Sequence, residues 1–186
     1  MNKTLSKFLV VIFLLLCSSA AYANPYVIGK LGAYIPDDDA FDTGYGLRGA
    51  FGMSFSDLGF GADPRPGSWL DKLMVEAGFG YYTAEVDVPG GNGDLTVLPL
   101  TVSGVFVHRL PTVPLELRAG VGLGTYFAEF DSNIKDKSTV KQGLYLNAGV
   151  IYNLNDQIGI LADIDYDRAS GDVGGWMLNG GMRYRF

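Results

Sequence analysis

Read at every second position, the chain separates into an apolar and a polar set along most of its length. In the last stretch Trp176, Leu178, Gly180, Met182, Tyr184 and Phe186 are mostly large and apolar. Between them Met177, Asn179, Gly181, Arg183 and Arg185 are mostly polar or small. Successive side chains of a strand point to opposite faces, so this stretch predicts one strand with an oily face and a charged one.

The same period recurs about eight times along the chain. A first strand near 26–35 sets Val27, Leu31, Ala33 and Ile35 against Lys30, before the acidic turn Asp37-Asp38-Asp39. A second, near 44–55, sets Tyr45, Leu47, Phe51, Met53 and Phe55 against Gly44, Gly46, Arg48, Gly52 and Ser54. In the third, near 70–83, Leu73, Val75, Phe79 and Tyr81 oppose Glu76, Gly78 and Gly80. The turn Pro89-Gly90-Gly91-Asn92-Gly93 comes next. In the fourth strand Leu98, Leu100, Val102 and Phe106 oppose Thr101 and Ser103, with Val97, Pro99, Val105 and Val107 blurring the contrast. Pro99 also removes one ladder hydrogen bond.

The fifth strand, 115–127, alternates most cleanly. Leu115, Leu117, Ala119, Val121, Leu123 and Phe127 interleave with Glu116, Arg118, Gly120, Gly122 and Gly124. After a polar loop over 131–137, Leu144, Leu146, Ala148, Val150 and Tyr152 oppose Tyr145, Asn147, Gly149 and Asn153. A tight turn over 153–156 leads to the seventh strand, where Ile158, Ile160, Ala162, Ile164 and Tyr166 oppose Gly159, Asp163 and Asp165. A loop around Ser170-Gly171-Asp172 reaches the terminal strand. The pattern predicts an all-β chain of eight antiparallel strands.

The N-terminus does not share this period. Lys3 and Lys7 precede an unbroken apolar run over 8–16, and Ala21-Tyr22-Ala23 supplies small residues for cleavage. Residues 1–23 therefore predict a secretory signal peptide, with 24–186 as one mature domain. Cys17 follows the bulky Leu16, where a lipoprotein signal wants a small residue. Cleavage removes this only cysteine and two lysines, which moves the formal net charge from −6 to −8 (−6 − 2). Disulfides are then excluded, and the acidic balance argues against a nucleic-acid partner. After the signal no apolar run approaches the ~18 residues of a spanning helix, so entry into a membrane would require a barrel.

Alternation alone does not orient the two faces. An eight-stranded barrel has room only for a modest filling of side chains, and about five large apolar residues from every strand would overfill it. The glycine-rich set with scattered charges fits a narrow interior, so the apolar set faces lipid. Tyr81, Phe127, Tyr166 and Trp176 then form one aromatic girdle, and Phe55, Phe106, Tyr152, Tyr184 and Phe186 the other.

On these residues the chain resembles small eight-stranded outer-membrane barrels of the OmpA/OmpX type, over the whole of 24–186. The resemblance implies an antiparallel up-and-down transmembrane β-barrel in the bacterial outer membrane, in contact with its lipid and lipopolysaccharide. It implies that Trp176, Tyr184 and Phe186 belong to a C-terminal signal read by the barrel-assembly machinery. Both chain ends would lie in the periplasm. The loops near 37–42, 85–94, 129–139 and 167–174 would then be extracellular, and the turns at 109–114 and 153–157 periplasmic. The connection 56–69, with Asp63-Pro64-Arg65-Pro66-Gly67, is long for a periplasmic turn and is either a tolerated insertion or a contact site.

The interior set carries Lys30, Arg48, Arg118, Arg183 and Arg185 with Glu76, Glu116, Asp163 and Asp165. Isolated charges in a narrow lumen are costly, so these are expected to pair and plug it. A narrow hydrophilic pore lined by the same groups is the other reading, since the inward glycines fill no space. Some small barrels modify lipid A, which needs a histidine beside a serine and a carboxylate. The single histidine, His108, falls at the opposite rim beside Arg109, without such partners. No catalytic, cofactor or metal site is expected, and a loosely held cation at Asp37, Asp38, Asp39 and Asp42 lacks the glycine and spacing of a calcium loop. A monomeric barrel with a structural or surface-interaction role is the expected function, and small-solute transport the alternative.

Overall fold

The computed structural model describes residues 25–38, 41–58, 69–88, 91–132, 137–169 and 174–186. The eight strands are β1 (Tyr26–Pro36), β2 (Gly44–Ser54), β3 (Leu73–Val88), β4 (Gly91–Arg109), β5 (Leu115–Ser132), β6 (Lys137–Asn153), β7 (Ile158–Ala169) and β8 (Gly174–Arg185). Each pairs antiparallel with its sequence neighbour, and β1 pairs with β8 to close the barrel. The seam runs from Tyr26 opposite Arg185 to Pro36 opposite Gly175. Closure leaves no free edge, so every strand has a partner on both sides. Residues 1–23, the expected signal peptide, lie outside the described residues.

The faces follow the alternation. Leu31, Leu47, Phe79, Val102 and Leu123 point outward and stay exposed, whereas Lys30, Arg48, Glu76, Glu116 and Arg118 point inward and are buried. Pro99 faces the interior and interrupts one ladder. β3 and β4 pair from Leu73 opposite Phe106 to Phe79 opposite Leu100, and resume at Tyr82 opposite Val97. Pro99 has no N–H to offer β3, but it keeps its place opposite Tyr126 of β5.

The barrel wall is uneven. β3 to β6 hold 16, 19, 18 and 17 residues, against 11 or 12 for the other four. A membrane-crossing strand needs about 9–11 residues, so the surplus forms a four-stranded wall that rises beyond the bilayer. It rises at the rim opposite the meeting point of Pro25 and Phe186, where the Phe186 N–H donates to the Pro25 carbonyl at 3.0 Å. Much of the expected loops near 85–94 and 129–139 is therefore strand. Along this wall the alternation inverts. Tyr82, Ala84, Leu95, Val97, Tyr126 and Ala128 fill the interior as one buried cluster, and Thr83, Glu85, Asp94, Thr96 and Glu129 face out. Water replaces lipid on the outside at this height, and the apolar face turns inward accordingly.

At the other rim the long connection is not a simple turn. Phe55–Leu58 and Trp69–Lys72 form two short 3-10 turns, η1 and η2, either side of residues outside the described set. Phe55 thus leaves the strand in which the alternation places it. Met53 does point outward, opposite Val75, yet it is only 2% exposed.

Candidate functional site in the barrel lumen

The lumen is built from a period-two run on β7. Asp163, Asp165 and Asp167 all face inward and are buried. The register sets Asn147 of β6 opposite Asp165, and Asn179 of β8 opposite Asp163. Both amides donate to both carboxylates: Asn147 Nδ2 at 3.0 and 2.7 Å, Asn179 Nδ2 at 2.9 and 3.0 Å. Lys30 reaches the same two carboxylates from β1, with its Nζ 2.7 Å from each. It can do so because Gly181 stands opposite it, where a Cβ would lie 2.6 Å from that of Lys30.

Toward the tall wall, Asp167 accepts hydrogen bonds from Tyr82 Oη at 2.7 Å and Tyr126 Oη at 2.6 Å. Arg48 bridges Asp165 and Asp167 at 3.3 and 3.2 Å and lies 4.1 Å from the centre of the Tyr145 ring. Toward the chain termini, Arg118 Nη2 holds both oxygens of Glu76 at 2.9 and 2.8 Å, while its Nε donates to Asn147 Oδ1 at 3.0 Å. Tyr26 Oη donates to the same Glu76 at 2.5 Å. Nearest the terminal rim, Arg183, Arg185, Arg109 and Asn153 converge on the fully buried Glu116.

All nine charged residues assigned to the interior by alternation thus fall into two groups of polar contacts, one around Asp163, Asp165 and Glu76 and one around Glu116, which meet where Arg183 lies 6.0 Å from the centre of the Tyr26 ring. Asp167 is an added anion, which brings the anions to five, and Arg109, on Glu116 at the rim, is an added cation beside Lys30, Arg48, Arg118, Arg183 and Arg185. The alternation of β7 continues past Tyr166, so Asp167 belongs to the strand and not to the loop near 167–174. Buried charges survive only when paired and fully hydrogen-bonded, which this set nearly achieves. Among the described residues, the buried side-chain atoms left without a partner are Asn179 Oδ1 and Arg183 Nε.

The inward glycines do not stand empty. A Cβ on Gly52 would lie 2.3 Å from the Tyr26 ring, and one on Gly124 2.8 Å from the Tyr126 ring. Tyrosine rings likewise lie over Gly46 and Gly175, while Thr101, Ser103 and Asp163 crowd Gly78, Gly122 and Gly149, so the space a channel would need is occupied. The cavity among Lys30, Arg48, Glu76, Arg118 and Tyr145 measures about 10 Å³, space for one water molecule at most. Gly52→Leu is expected to push Tyr26 off Glu76 and cost about 1–3 kcal/mol by overpacking. Gly180→Leu, whose added Cβ meets nothing within 4 Å on the lipid side, should be nearly neutral. Urea unfolding midpoints in lipid vesicles check the contrast.

Other sequence-selected residues lie away from this set. Trp176, Tyr184 and Phe186 are exposed on the outer wall, with Trp176 against Tyr166 at 4.5 Å and Phe186 edge-on to Tyr184 at 5.1 Å. His108 stands opposite Leu117 near the terminal rim, on the outward parity. Asp37 accepts a hydrogen bond from Tyr166 Oη at 3.0 Å. Among the described residues no group of three or more histidines, cysteines or carboxylates is placed to hold a metal ion. Of the interior tyrosines, the alternation places Tyr145 on the inward set, where it donates to Asp165 at 2.9 Å, but not Tyr82 and Tyr126. Tyr82 and Tyr126 each adjoin an outward aromatic, Tyr81 or Phe127, so parity could be assigned only through the neighbouring glycines.

A closed barrel with a lipid-facing apolar band and a charge-filled lumen defines an integral outer-membrane protein. The chain belongs to the outer-membrane protein β-barrel domain family, whose model matches residues 8–186, and its place is the bacterial outer membrane. No curated protein matches it in sequence. Its fold is similar to that of neisserial surface protein A, at 17% identity and a TM-score of 0.64, over 87% of this chain and 97% of that one. OprG from Pseudomonas aeruginosa is similar at 20% identity and 0.66, over 89% and 97%. Ail, the attachment invasion locus protein of Yersinia pestis, is similar at 20% and 0.56, over 88% and 98%. At these identities the likeness is one of fold.

Proposed function

We propose that the protein is a monomeric, non-enzymatic barrel whose lumen is plugged by its own charge network and whose tall extracellular wall carries its surface role. The observation behind this reading is the lumen itself, in which aromatic rings lie across several inward glycines and each of the five buried anions is paired with a cation. The network fixes strand register, and the wall of β3 to β6 meets lipopolysaccharide and the surroundings of the cell.

The wall carries an acidic row on its outer face. Glu85 stands opposite Asp94, and Asp94 opposite Asp131. Ail has been crystallised with the heparin analogue sucrose octasulfate. In this chain the acidic row would repel such a polyanion, so the surface partners proposed here are neutral or cationic, or lipopolysaccharide bridged by divalent cations.

Single-channel recording in a planar bilayer tests the plug. The expected result is silence from the refolded protein and from Arg118→Ala, with folding of both verified by heat-modifiable mobility. Discrete openings in the unaltered protein whose amplitude changes in Arg118→Ala would replace this reading with transport through a charged pore.

A further inference from the structure

The charges of the lumen are unevenly balanced along its length. Asp163, Asp165, Asp167 and Glu76 are met by three cations, Lys30, Arg48 and Arg118, one fewer than the carboxylates. At the rim where Pro25 and Phe186 meet, the imbalance reverses. Arg109, Arg183 and Arg185 share one carboxylate, Glu116, so two positive charges are left over. Asp156, on the neighbouring turn between β6 and β7, is exposed and joins none of these ion pairs.

Glu116 has no capacity left for the surplus. Its Oε1 accepts from Arg109 Nε at 3.1 Å, Arg109 Nη2 at 2.9 Å, Asn153 Nδ2 at 3.1 Å and Arg185 Nη2 at a loose 3.4 Å. Its Oε2 is taken by Arg183. Among the described residues, Arg109 Nη1 and the Nε and Nη1 of Arg185 find no acceptor. Arg183 Nε is buried without one. The side chains of Arg183 and Arg185 are only 4% and 25% exposed. Guanidinium groups this sheltered repel one another with little water between them, and an added anion relieves that cost.

Parity says where such an anion would enter. Arg109 stands opposite the buried Glu116 and Arg185 opposite the buried Tyr26, so all four take the inward positions of their strands. The cluster therefore opens through the mouth of the lumen and not through the lipid-facing wall. Arg109, its side chain 64% exposed, marks the opening. The guanidinium fork fits the paired oxygens of carboxylate and phosphate alike, and charge separates the two. A carboxylate cancels one of the two surplus charges, whereas a phosphate monoester carries about −1.5 to −2 at neutral pH.

We infer that the terminal mouth of the lumen is a site for one doubly charged oxyanion, phosphate or a phosphate monoester, held by Arg109 and Arg185 and backed by Arg183. The inference rests on the arginine surplus at Glu116 and not on the plug, so it stands whether or not the lumen conducts.

The protein is refolded into uncharged maltoside micelles, which leave both mouths accessible and contain no phosphate, with heat-modifiable mobility as the folding control. Binding of inorganic phosphate is measured by equilibrium dialysis at neutral pH, with ionic strength held constant by sodium chloride. The expected result is one saturable site per barrel, weakened about tenfold or more by Arg109→Gln, which removes a charged donor group. Arg168→Gln, at an exposed outward position near the opposite rim, leaves it unchanged. Glu116→Gln removes the competing carboxylate and tightens it. Absence of saturable binding, equal losses in Arg109→Gln and Arg168→Gln, or weaker binding in a folded Glu116→Gln barrel overturns the inference. If Glu116→Gln does not fold, the contrast between the two arginine variants decides alone. Doping the micelles with phosphatidic acid names the source. Undiminished binding assigns the site to a soluble phosphate, and competition by the lipid assigns it to a headgroup phosphate of the periplasmic leaflet.

Discussion

Arg118→Met is expected to destabilise the barrel by about 3–5 kcal/mol, the cost of stranding one member of a buried ion pair. The pair it breaks has no substitute. Glu76 is 3% exposed, its cation is Arg118, and after the substitution it keeps only the hydroxyl of Tyr26. The more crowded Asp165 gives a smaller effect, because its removal leaves Lys30 on Asp163 and Arg48 on Asp167. Asp165→Asn should cost about 1–3 kcal/mol, and Arg109→Ala, which removes a largely exposed cation from the rim, less than about 1 kcal/mol. Combining Arg118→Met with Glu76→Met removes both charges and should recover most of the loss, short of roughly 1 kcal/mol for the unpaired Tyr26 hydroxyl. Urea unfolding in vesicles ranks the four. An Arg118→Met barrel as stable as the parent would mean that water already solvates Glu76 and that the lumen is wetter than its geometry indicates.

Deleting Phe186 is expected to abolish most assembly in the cell while leaving refolding in vesicles nearly intact. The side chain is 63% exposed and makes one aromatic contact, with Tyr184. Its packing contributes little to the finished barrel, so a large effect must arise from recognition before the barrel exists. The measurement is the amount of heat-modifiable protein in outer-membrane fractions, set beside refolding yield from urea. Normal cellular levels would remove Phe186 from the proposed assembly signal. Equal losses in both assays would make its role structural.

Much of this lumen was legible in the sequence, because one residue in two faces the same way and glycine marks the crowded side. The strands that cross the membrane obey that rule from Tyr26 through Arg185. The rule weakens where the surroundings change. Above the bilayer the outer face meets water, so Glu85, Asp94 and Glu129 look like loop residues although they stand in strands. Asp167 is hidden in the same way: it continues the run of Asp163 and Asp165, but a strand expected to end near Tyr166 could not claim it. Met53 shows a different limit. Its outward parity is correct, and no periodicity could reveal that it is nevertheless buried.

The seam between β1 and β8 has a kinetic consequence. Lys30 meets Asp163 and Asp165 across 133 and 135 residues of sequence, and it reaches them over β8. Until the first and last strands zip together, the ammonium has no carboxylate and must keep its water. Loss of that water and closure of the seam are therefore one event, placed at the end of folding by the length of chain that must come together first. A barrel stalled before this step keeps a hydrated lysine beside an open slot, a state that differs from the finished protein in hydration as much as in shape.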